Sequence, residues 1–155
     1  MIAGHQRLAA DVVQILLREN GTVLCVQRSL GADRMPGPLA LIGGPLLASE
    51  ALDGAARREA QEQAGVQINA LDQEFVGLLH QHVPERMDRV TVVFVAQTWA
   101  GEPYSAELHE QQELFWVSID NPPPNCDADT AAVLRLLTAG PSYQALNWPS
   151  TGGTS

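Results

Sequence analysis

Apolar and polar residues follow one another in short runs that predict β-strands over most of the chain. Two apolar runs between Asp11 and Ser29 are split by Asn20-Gly21. Both turn residues tolerate a positive φ, so this stretch predicts a β-hairpin. Four further apolar runs predict strands at Leu39–Ile42, Glu74–Gln81, Arg89–Ala100 and Glu113–Ile119. The segment Gly31–Pro38, rich in glycine and proline, predicts a loop.

Two other segments have the character of helices. The first, Ser49–Ala64, consists mostly of alanine and charged residues, begins at a serine that can cap a helix, and stops before Gly65. The second begins near Asp127 or Asp129 and ends at Gly140. Strands mixed with two helices predict an α+β sandwich in which a mixed sheet lies between the helices.

The first helix has a solvent face and an inner face when its residues are placed about 100° apart. Asp53, Arg57 and Gln61 fall on the solvent face, and Leu52, Ala55 and Ala56 on the inner face. Glu59 and Gln63 lie in the middle of the inner face, with Glu62 at its edge. A buried carboxylate is costly without a partner, so we expect a cation, a basic side chain or an opening to solvent beside Glu59.

These acids are spaced in a way that suits metal binding. Glu59 and Glu62 are three residues apart, and Gln63 is four residues from Glu59, so the three project from neighbouring places on one face. Gly43 and Gly44 lie just upstream and carry no side chains that would block a ligand. Hard divalent cations take several oxygen ligands. The helix and the glycine turn therefore predict a metal platform.

Length and composition predict a single soluble domain. The 155 residues are 45% hydrophobic and 17% charged, which is typical of a globular protein. The net charge of −9 argues against binding to nucleic acid or to an anionic membrane. It does not exclude anionic small molecules, because bound divalent metals reverse the local field. We expect residues 1–10 to be an extension, 11–140 the domain, and 141–155 a tail with a disordered end, in which Tyr143 and Trp148 are candidates for docking the earlier part on the domain.

The cysteines and the first residues of the chain indicate the cellular compartment. Cys25 and Cys126 match no metal or disulfide pattern, so we interpret both as free thiols in a reducing cytoplasm. The first residues contain no long apolar region, and no apolar run is long enough to span a bilayer. The sequence therefore predicts a cytoplasmic protein.

One stretch resembles the signature motif of a known family. Gly44, five residues, Glu50, seven residues and then Arg58–Val66 resemble the Nudix box, G-x5-E-x7-R-E-U-x-E-E-x-G-U, where U is a bulky aliphatic residue. The resemblance extends over about 11–140 and implies a Nudix-type α/β/α sandwich. It also implies hydrolysis of a nucleoside diphosphate linked to another group, with Mg²⁺ or Mn²⁺, and a homodimer.

The resemblance implies a role for each matching residue. Glu59 would be a metal ligand and the candidate base that activates water, and Glu62 a second ligand or water-bridged contact. The Gly43 carbonyl would be a further ligand. Glu50 and Arg58 would pair to hold the loop to the helix, and Gly44 and Gly65 complete the structural part of the box.

The motif departs from the family pattern at one candidate ligand. Gln63 stands where the family has a second paired glutamate, so an acceptor oxygen remains but a negative charge is lost. Leu47 and Ser49 also replace the glutamate and glycine that are common in the loop. The resemblance allows an acid from outside the box to replace the missing carboxylate; the candidates are Glu107, Glu110 and Glu113, of which Glu107 and Glu110 are favoured because they lie in the loop.

Other polar residues allow two interpretations each. Arg28 and Arg34 are candidates for binding substrate phosphate, although solvated arginines are common at such places. His80 and His82 point the same way along a strand and would suit a metal, but strand-end or pocket histidines are the more frequent case.

Three classes of function remain open at this point. The first is a metal-dependent Nudix pyrophosphohydrolase acting on a nucleotide or nucleotide-sugar substrate. The second, motivated by Gln63, is a nucleotide-binding or regulatory module with a metal site too weak for turnover. The third is a structural subunit with no ligand.

Overall fold

The computed structural model describes residues 4–30, 35–106, 112–140 and 142–149. Within these ranges eight strands, two α-helices and a short 3₁₀-helix at Ala70–Asp72 form an α+β sandwich, which confirms the predicted fold class. The strands are β1 Ala9–Leu16, β2 Thr22–Leu30, β3 Met35–Leu41, β4 Gly43–Pro45, β5 Gln73–Gln81, β6 Arg89–Ala96, β7 Gln112–Ser118 and β8 Tyr143–Leu146, and the helices are α1 Leu52–Ala64 and α2 Ala128–Ala139.

The described strands form two sheets. One has five strands in the order β4-β1-β6-β5-β8 and is mixed, because β1 runs parallel to β6 and β5 runs parallel to β8. The other has three antiparallel strands in the order β3-β2-β7. α1 packs on β1, β4 and β6, and α2 packs on β5 and β3. Each helix therefore covers a different part of the strands.

Successive side chains along the strands pack alternately toward α1 and toward α2. On β1, Ile15 belongs to a buried cluster that includes α2 residues, and Leu16 belongs to one that includes Ala60 and Ala64 of α1. On β2, Leu24 packs with the α1 cluster in the same way. This period of two follows from strand geometry. The strands thus lie between the helices, as predicted.

The predicted hairpin is only partly correct. Gly21 has φ of 78° and forms a tight turn after β1, in which its N–H donates to the Arg18 carbonyl at 3.0 Å. Beyond a single bridge between Leu17 and Val23, the two strands separate into different sheets. The reason is that both edges of β1 are taken, one by β4 and the other along its full length by β6.

Three strand and helix boundaries in the structure differ from those predicted from the sequence. Met35–Pro38, predicted as loop, belongs to β3. β3 lies at the edge of its sheet, where a proline that lacks an N–H is tolerated. β6 ends at Ala96 rather than Ala100. α1 begins at Leu52 with Ala51 as its N-cap and no side-chain cap; Ser49 lies in a turn with φ of 66°.

The helix ends and most of the inner face of α1 agree with the sequence. Gly65 and Gly140 end their helices in the left-handed conformation, and Asp127 caps α2 by accepting a hydrogen bond from the Thr130 N–H at 2.7 Å. Ala55 and Ala56 are buried as predicted. Leu52 is 38% exposed, contrary to prediction, because it lies in the first turn of the helix, before the face that contacts the sheet.

The segment after α2 docks on the five-stranded sheet. β8 pairs parallel with the end of β5, and the Trp148 Nε1–H donates to the His80 carbonyl at 2.9 Å. The docking expected of Trp148 is therefore present, while Tyr143 is more than half exposed within β8. The tail end predicted to be disordered lies outside the described residues. No described helix has the length and apolar character required to cross a membrane.

Candidate active site

The Gly43-Gly44 turn allows α1 to lie directly against β4. Gly43 pairs with Val13 and Gly44 with Val12 of β1. A Cβ at position 43 would collide with the Val12 carbonyl oxygen, and one at position 44 would lie 2.5 Å from Glu59 Oε1. Only glycine fits at either place. Because these residues have no side chains, the Glu59 carboxylate can lie directly against β4.

The Glu59 carboxylate is buried, and each of its oxygens has a hydrogen-bond partner within the chain. The residue is 6% exposed, in agreement with its predicted place on the inner face. Its Oε1 accepts a hydrogen bond from Arg58 NH1 at 3.0 Å, and its Oε2 accepts one from Gln63 Nε2 at 2.6 Å. A basic side chain is therefore among the partners that burial of this carboxylate was expected to require.

Arg58 links the three glutamates of the motif. Its Nε and NH2 donate to the two Glu50 oxygens at 2.6 and 3.0 Å, so the ion pair expected from the sequence forms with bidentate geometry. Its NH1 also donates to Glu62 at 3.0 Å, and its NH2 to the Pro45 carbonyl at 3.2 Å. These contacts raise the pKa of Arg58, and its guanidinium lowers the pKa of Glu50. The loop is thereby joined to α1.

The Gln63 amide is buried at the centre of the site. The residue is 2% exposed. Its Nε2 donates to the Gly43 carbonyl at 2.8 Å and to Glu59 at 2.6 Å, while its Oε1 accepts from Arg28 NH2 at 3.2 Å. An amide has two N–H donors, and here both are used. Gln63 thus joins β2, β4 and α1 through one side chain.

The donor set suits a hard cation in kind, because it consists of oxygens. Glu59 and the Gly43 carbonyl share the Gln63 NH2 group, and the more exposed Glu62 shares Arg58 NH1 with Glu59; Mg²⁺ or Mn²⁺ prefers oxygen ligands of this kind. Within the described part of the chain no three His, Cys, Asp or Glu side chains form a group that would hold a metal ion. A cation here would therefore depend on the Gly43 carbonyl, the Gln63 amide oxygen, water and substrate oxygens for its remaining ligands.

A cavity of about 210 Å³ opens beside the glycine turn. Arg28, Gly43 and Gly44 line the end nearest α1, and Asp127 and Asp129 line the part at the start of α2. Further lining residues are Asp11, Val12, Val13, Ala40, Leu41, Thr91, Thr130 and Val133. The cavity thus combines one basic side chain, which contacts Gln63 of α1, with an acidic wall at the start of α2; Glu59, Glu62 and Gln63 are not among its lining residues.

The structure brings together some of the predicted site residues and leaves others undescribed. Arg28 lies in the cavity wall and contacts Gln63. Arg34, Glu107 and Glu110 lie outside the described residues. Glu113 is exposed on β7 and is not among the residues that line the cavity.

The two histidines of β5 pack on the tail. His80 and His82 have ring centroids 4.6 and 5.1 Å from that of Trp148, and His82 Nδ1 lies 2.8 Å from Asp88 Oδ1. The Val83 N–H and His82 lower the pKa of Asp88. These contacts correspond to the strand-end interpretation of the two histidines.

Several residues at the site were not singled out in the sequence. Gln112 donates from Nε2 to the Gln63 carbonyl at 2.9 Å and is buried, and Asp11 lines the cavity. A sequence signal exists for both residues, because each is a polar residue in a mostly apolar strand: Asp11 lies inside β1, and Gln112 is the first residue of β7. Asp127 was noted only as a helix start, and its second place in the cavity wall depends on the fold.

A protein-family model matches most of the chain. The sequence model described as "NUDIX domain" matches residues 5–137. No curated protein matches the sequence.

Several solved structures share the fold. A MutT NUDIX hydrolase from Burkholderia pseudomallei superimposes with a TM-score of 0.72 at 21% identity, over 86% of this chain and 100% of that one. The NUDIX domain of Shewanella oneidensis NrtR, crystallised with ADP ribose, has a TM-score of 0.67 at 18% identity, over 88% and 90%. An ADP compounds hydrolase has 0.66 at 18% identity, over 87% and 74%.

Proposed function

We propose, on the premise that the chain belongs to the Nudix family, that it hydrolyses the pyrophosphate of a nucleoside diphosphate linked to another group. In this proposal Glu59, Glu62 and the Gly43 carbonyl would hold Mg²⁺ or Mn²⁺. The bound cation would supply Lewis acidity toward the phosphate oxygens and would lower the pKa of a bound water. Water attacks one phosphorus and gives up a proton to a base, for which Glu59 is the candidate, and the bridging oxygen leaves with the other phosphate.

The observation that carries the proposal is the position of the Glu59 carboxylate. It is buried against a turn without side chains, and the residues of that turn also line the cavity. Glu59 and Glu62 do not line the cavity themselves, so a substrate pyrophosphate would approach them at the Gly43-Gly44 turn, where no side chain of the turn intervenes. This arrangement supports binding of reacting phosphates at the Gly43-Gly44 end.

The neighbouring charges support the same orientation of substrate. Arg28 lines the cavity at the Gly44 end, where a guanidinium suits phosphate oxygens. Asp127 and Asp129 line the α2 end, where carboxylates accept hydrogen bonds from sugar hydroxyls or base amino groups. The substrate class is therefore a nucleotide derivative whose phosphates face α1.

The choice of compounds for an assay follows from the solved structures of similar fold. One of these proteins is described as a hydrolase of ADP compounds, and another was crystallised with ADP ribose. A panel should contain ADP ribose, other nucleoside diphosphate sugars, nucleoside triphosphates and oxidised nucleotides. Release of phosphate measures hydrolysis with Mg²⁺ and with Mn²⁺, after a phosphatase has acted on the products of the diphosphate sugars and a pyrophosphatase on the products of the triphosphates.

The test compares Glu59→Gln with Glu74→Gln, which removes an exposed carboxylate on β5. We expect wild type and Glu74→Gln to hydrolyse the same compounds at the same rate. Glu59→Gln should lose about 10²–10⁴-fold in kcat/KM, the range for removal of a group that moves a proton. Full activity in Glu59→Gln would contradict the proposal.

A second candidate function is a nucleotide-binding module without turnover. The observation that favours it is the Gln63 amide, which already donates to Glu59 and to the Gly43 carbonyl, two of the oxygens proposed for the cation. Such a module would gain thermal stability from nucleotide without metal. It would hydrolyse no compound of the panel. The homodimer and the cytoplasmic location expected from the sequence stay predictions.

A further inference from the structure

Arg28 determines which way the Gln63 amide faces. The guanidinium donates to Gln63 Oε1 at 3.2 Å, so the amide NH2 must face away from it, toward Gly43 and Glu59. If the amide were reversed, its NH2 would face a second donor and its oxygen would face two acceptors. The assignment of the amide therefore follows from its partners.

The NH2 group takes the position of a cation between two oxygens. It donates to the Gly43 carbonyl at 2.8 Å and to Glu59 Oε2 at 2.6 Å. A cation that binds both oxygens has to displace this NH2 group. Displacement breaks both hydrogen bonds, and an amide rotated to present its oxygen to the cation would also lose the hydrogen bond from Arg28.

We propose that the Arg28–Gln63 pair competes with the divalent cation for Glu59 and the Gly43 carbonyl. Arg28 is a positioning residue in this role, because it acts on the cation site through the Gln63 amide. A substrate phosphate that draws the guanidinium away from Gln63 frees the amide to turn its oxygen to the cation. Cation binding is thereby weak in the free protein and is coupled to the arrival of an anionic substrate.

This inference deepens the proposed function, since it rests on the same cation site. Its test uses Mn²⁺ alone, without nucleotide, so that it does not depend on turnover. A protein that binds Mn²⁺ tightly after Arg28→Met and hydrolyses nothing would support the inference and contradict the hydrolase. A protein that hydrolyses a nucleotide while Arg28→Met leaves Mn²⁺ affinity unchanged would do the reverse.

The experiment is a double-mutant cycle on Mn²⁺ affinity, measured by electron paramagnetic resonance. Its four proteins are wild type, Arg28→Met, Gln63→Met and the double variant. Removal of the Arg28 charge raises cation affinity by ordinary electrostatics, and this effect is common to both backgrounds. Any additional effect in the Gln63 background measures the action of Arg28 through the amide.

We expect Arg28→Met to strengthen Mn²⁺ binding about tenfold in the Gln63 background, the scale of one hydrogen bond to a charged group. In the Gln63→Met background we expect at most about threefold, since partly screened charge is then the only cause. Equal changes in the two backgrounds, or no measurable Mn²⁺ binding by any of the four proteins, would overturn the inference. Circular dichroism checks that each variant is folded.

A second measurement needs no folded variant. The side-chain NH2 signals of Gln63, observed by ¹⁵N nuclear magnetic resonance, should be protected from exchange with solvent in the free protein because both N–H groups are bonded. Saturating Mg²⁺ should shift them and remove the protection. Signals that exchange freely without Mg²⁺, or that stay unchanged when Mg²⁺ saturates the site, would overturn the inference.

Discussion

At the scale of single residues, the spacing of α1 predicts which side chains are buried, and the contacts between distant residues decide what they do. Glu59 and Gln63 were placed on the inner face by helical geometry alone, and both are buried. The hydrogen bond from Arg28 to Gln63 joins residues 35 positions apart, and no local pattern reports such a contact. The alternation of side chains along β2 does indicate that Arg28 faces α1, because Leu24 and Val26, which pack with α1, lie on the same face of the strand.

The Glu50–Arg58 ion pair predicts a pH dependence of stability. Arg58 holds the pKa of Glu50 below its ordinary value, so the pair stabilises the folded state above the unfolded pKa of about 4.3. This stability is lost as the pH falls through the lower folded pKa. The Glu50→Gln variant should therefore melt below wild type at pH 7, and the difference should shrink toward pH 3.

Melting temperatures of the two proteins across this pH range check the prediction. Glu74→Gln is the matched control, because Glu74 is an exposed carboxylate of β5. A difference between wild type and Glu50→Gln that stays constant from pH 7 to pH 3 would show that the ion pair is not its cause.

At the scale of secondary-structure elements, the sequence predicts where the helices end better than it predicts which strands pair. Gly65, Asp127 and Gly140 mark helix ends through local chemistry, and all three serve as caps. The parallel pairing of β1 with β6 joins strands about 80 residues apart, which turn residues alone do not report. The predicted hairpin failed for this reason, since its local turn is correct and its distant pairings are not.

The two glycine caps predict different costs for the same substitution. Both have positive φ, so alanine costs about 1 kcal/mol of backbone strain at either one. A Cβ at Gly140 meets nothing within 4 Å, whereas one at Gly65 would overlap the Tyr104 ring. We expect Gly65→Ala to lower the free energy of unfolding more than Gly140→Ala does.

Urea unfolding of both glycine variants measures this difference. The variant Gly65→Ala with Tyr104→Ala separates strain from overlap, because the small side chain removes the obstructing ring. Relative to Tyr104→Ala alone, this double variant should lose the same free energy of unfolding as Gly140→Ala loses relative to wild type. Equal costs for the two single glycine variants would contradict the role of Tyr104.

At the scale of the whole molecule, the segment after α2 completes the five-stranded sheet. β8 adds a strand to β5, and Trp148 covers His80 and His82. The sequence predicted that this part of the tail docks, but the added strand depends on a free edge of β5 that only the assembled sheet presents. The family match ends at residue 137, before this strand.

Loss of the Trp148 ring should destabilise the domain. The side chain is 38% exposed, so Trp148→Ala should lower the free energy of unfolding by about 1–2 kcal/mol, less than for a fully buried tryptophan. Tyr143→Ala is the control, since Tyr143 is more than half exposed on β8. Chemical unfolding that gives equal changes for both variants would contradict a docking role for Trp148.

In the proposed reaction, water cleaves a nucleotide pyrophosphate at the Glu59 site. The most direct measurement is hydrolysis of the compound panel in H₂¹⁸O with Mg²⁺ or Mn²⁺, followed by ³¹P nuclear magnetic resonance of the products. Wild type should form two phosphate products, one of which carries a single ¹⁸O from solvent, and Glu59→Gln should form neither. Absence of product with wild type for every compound, or labelled product at the full rate with Glu59→Gln, would contradict it.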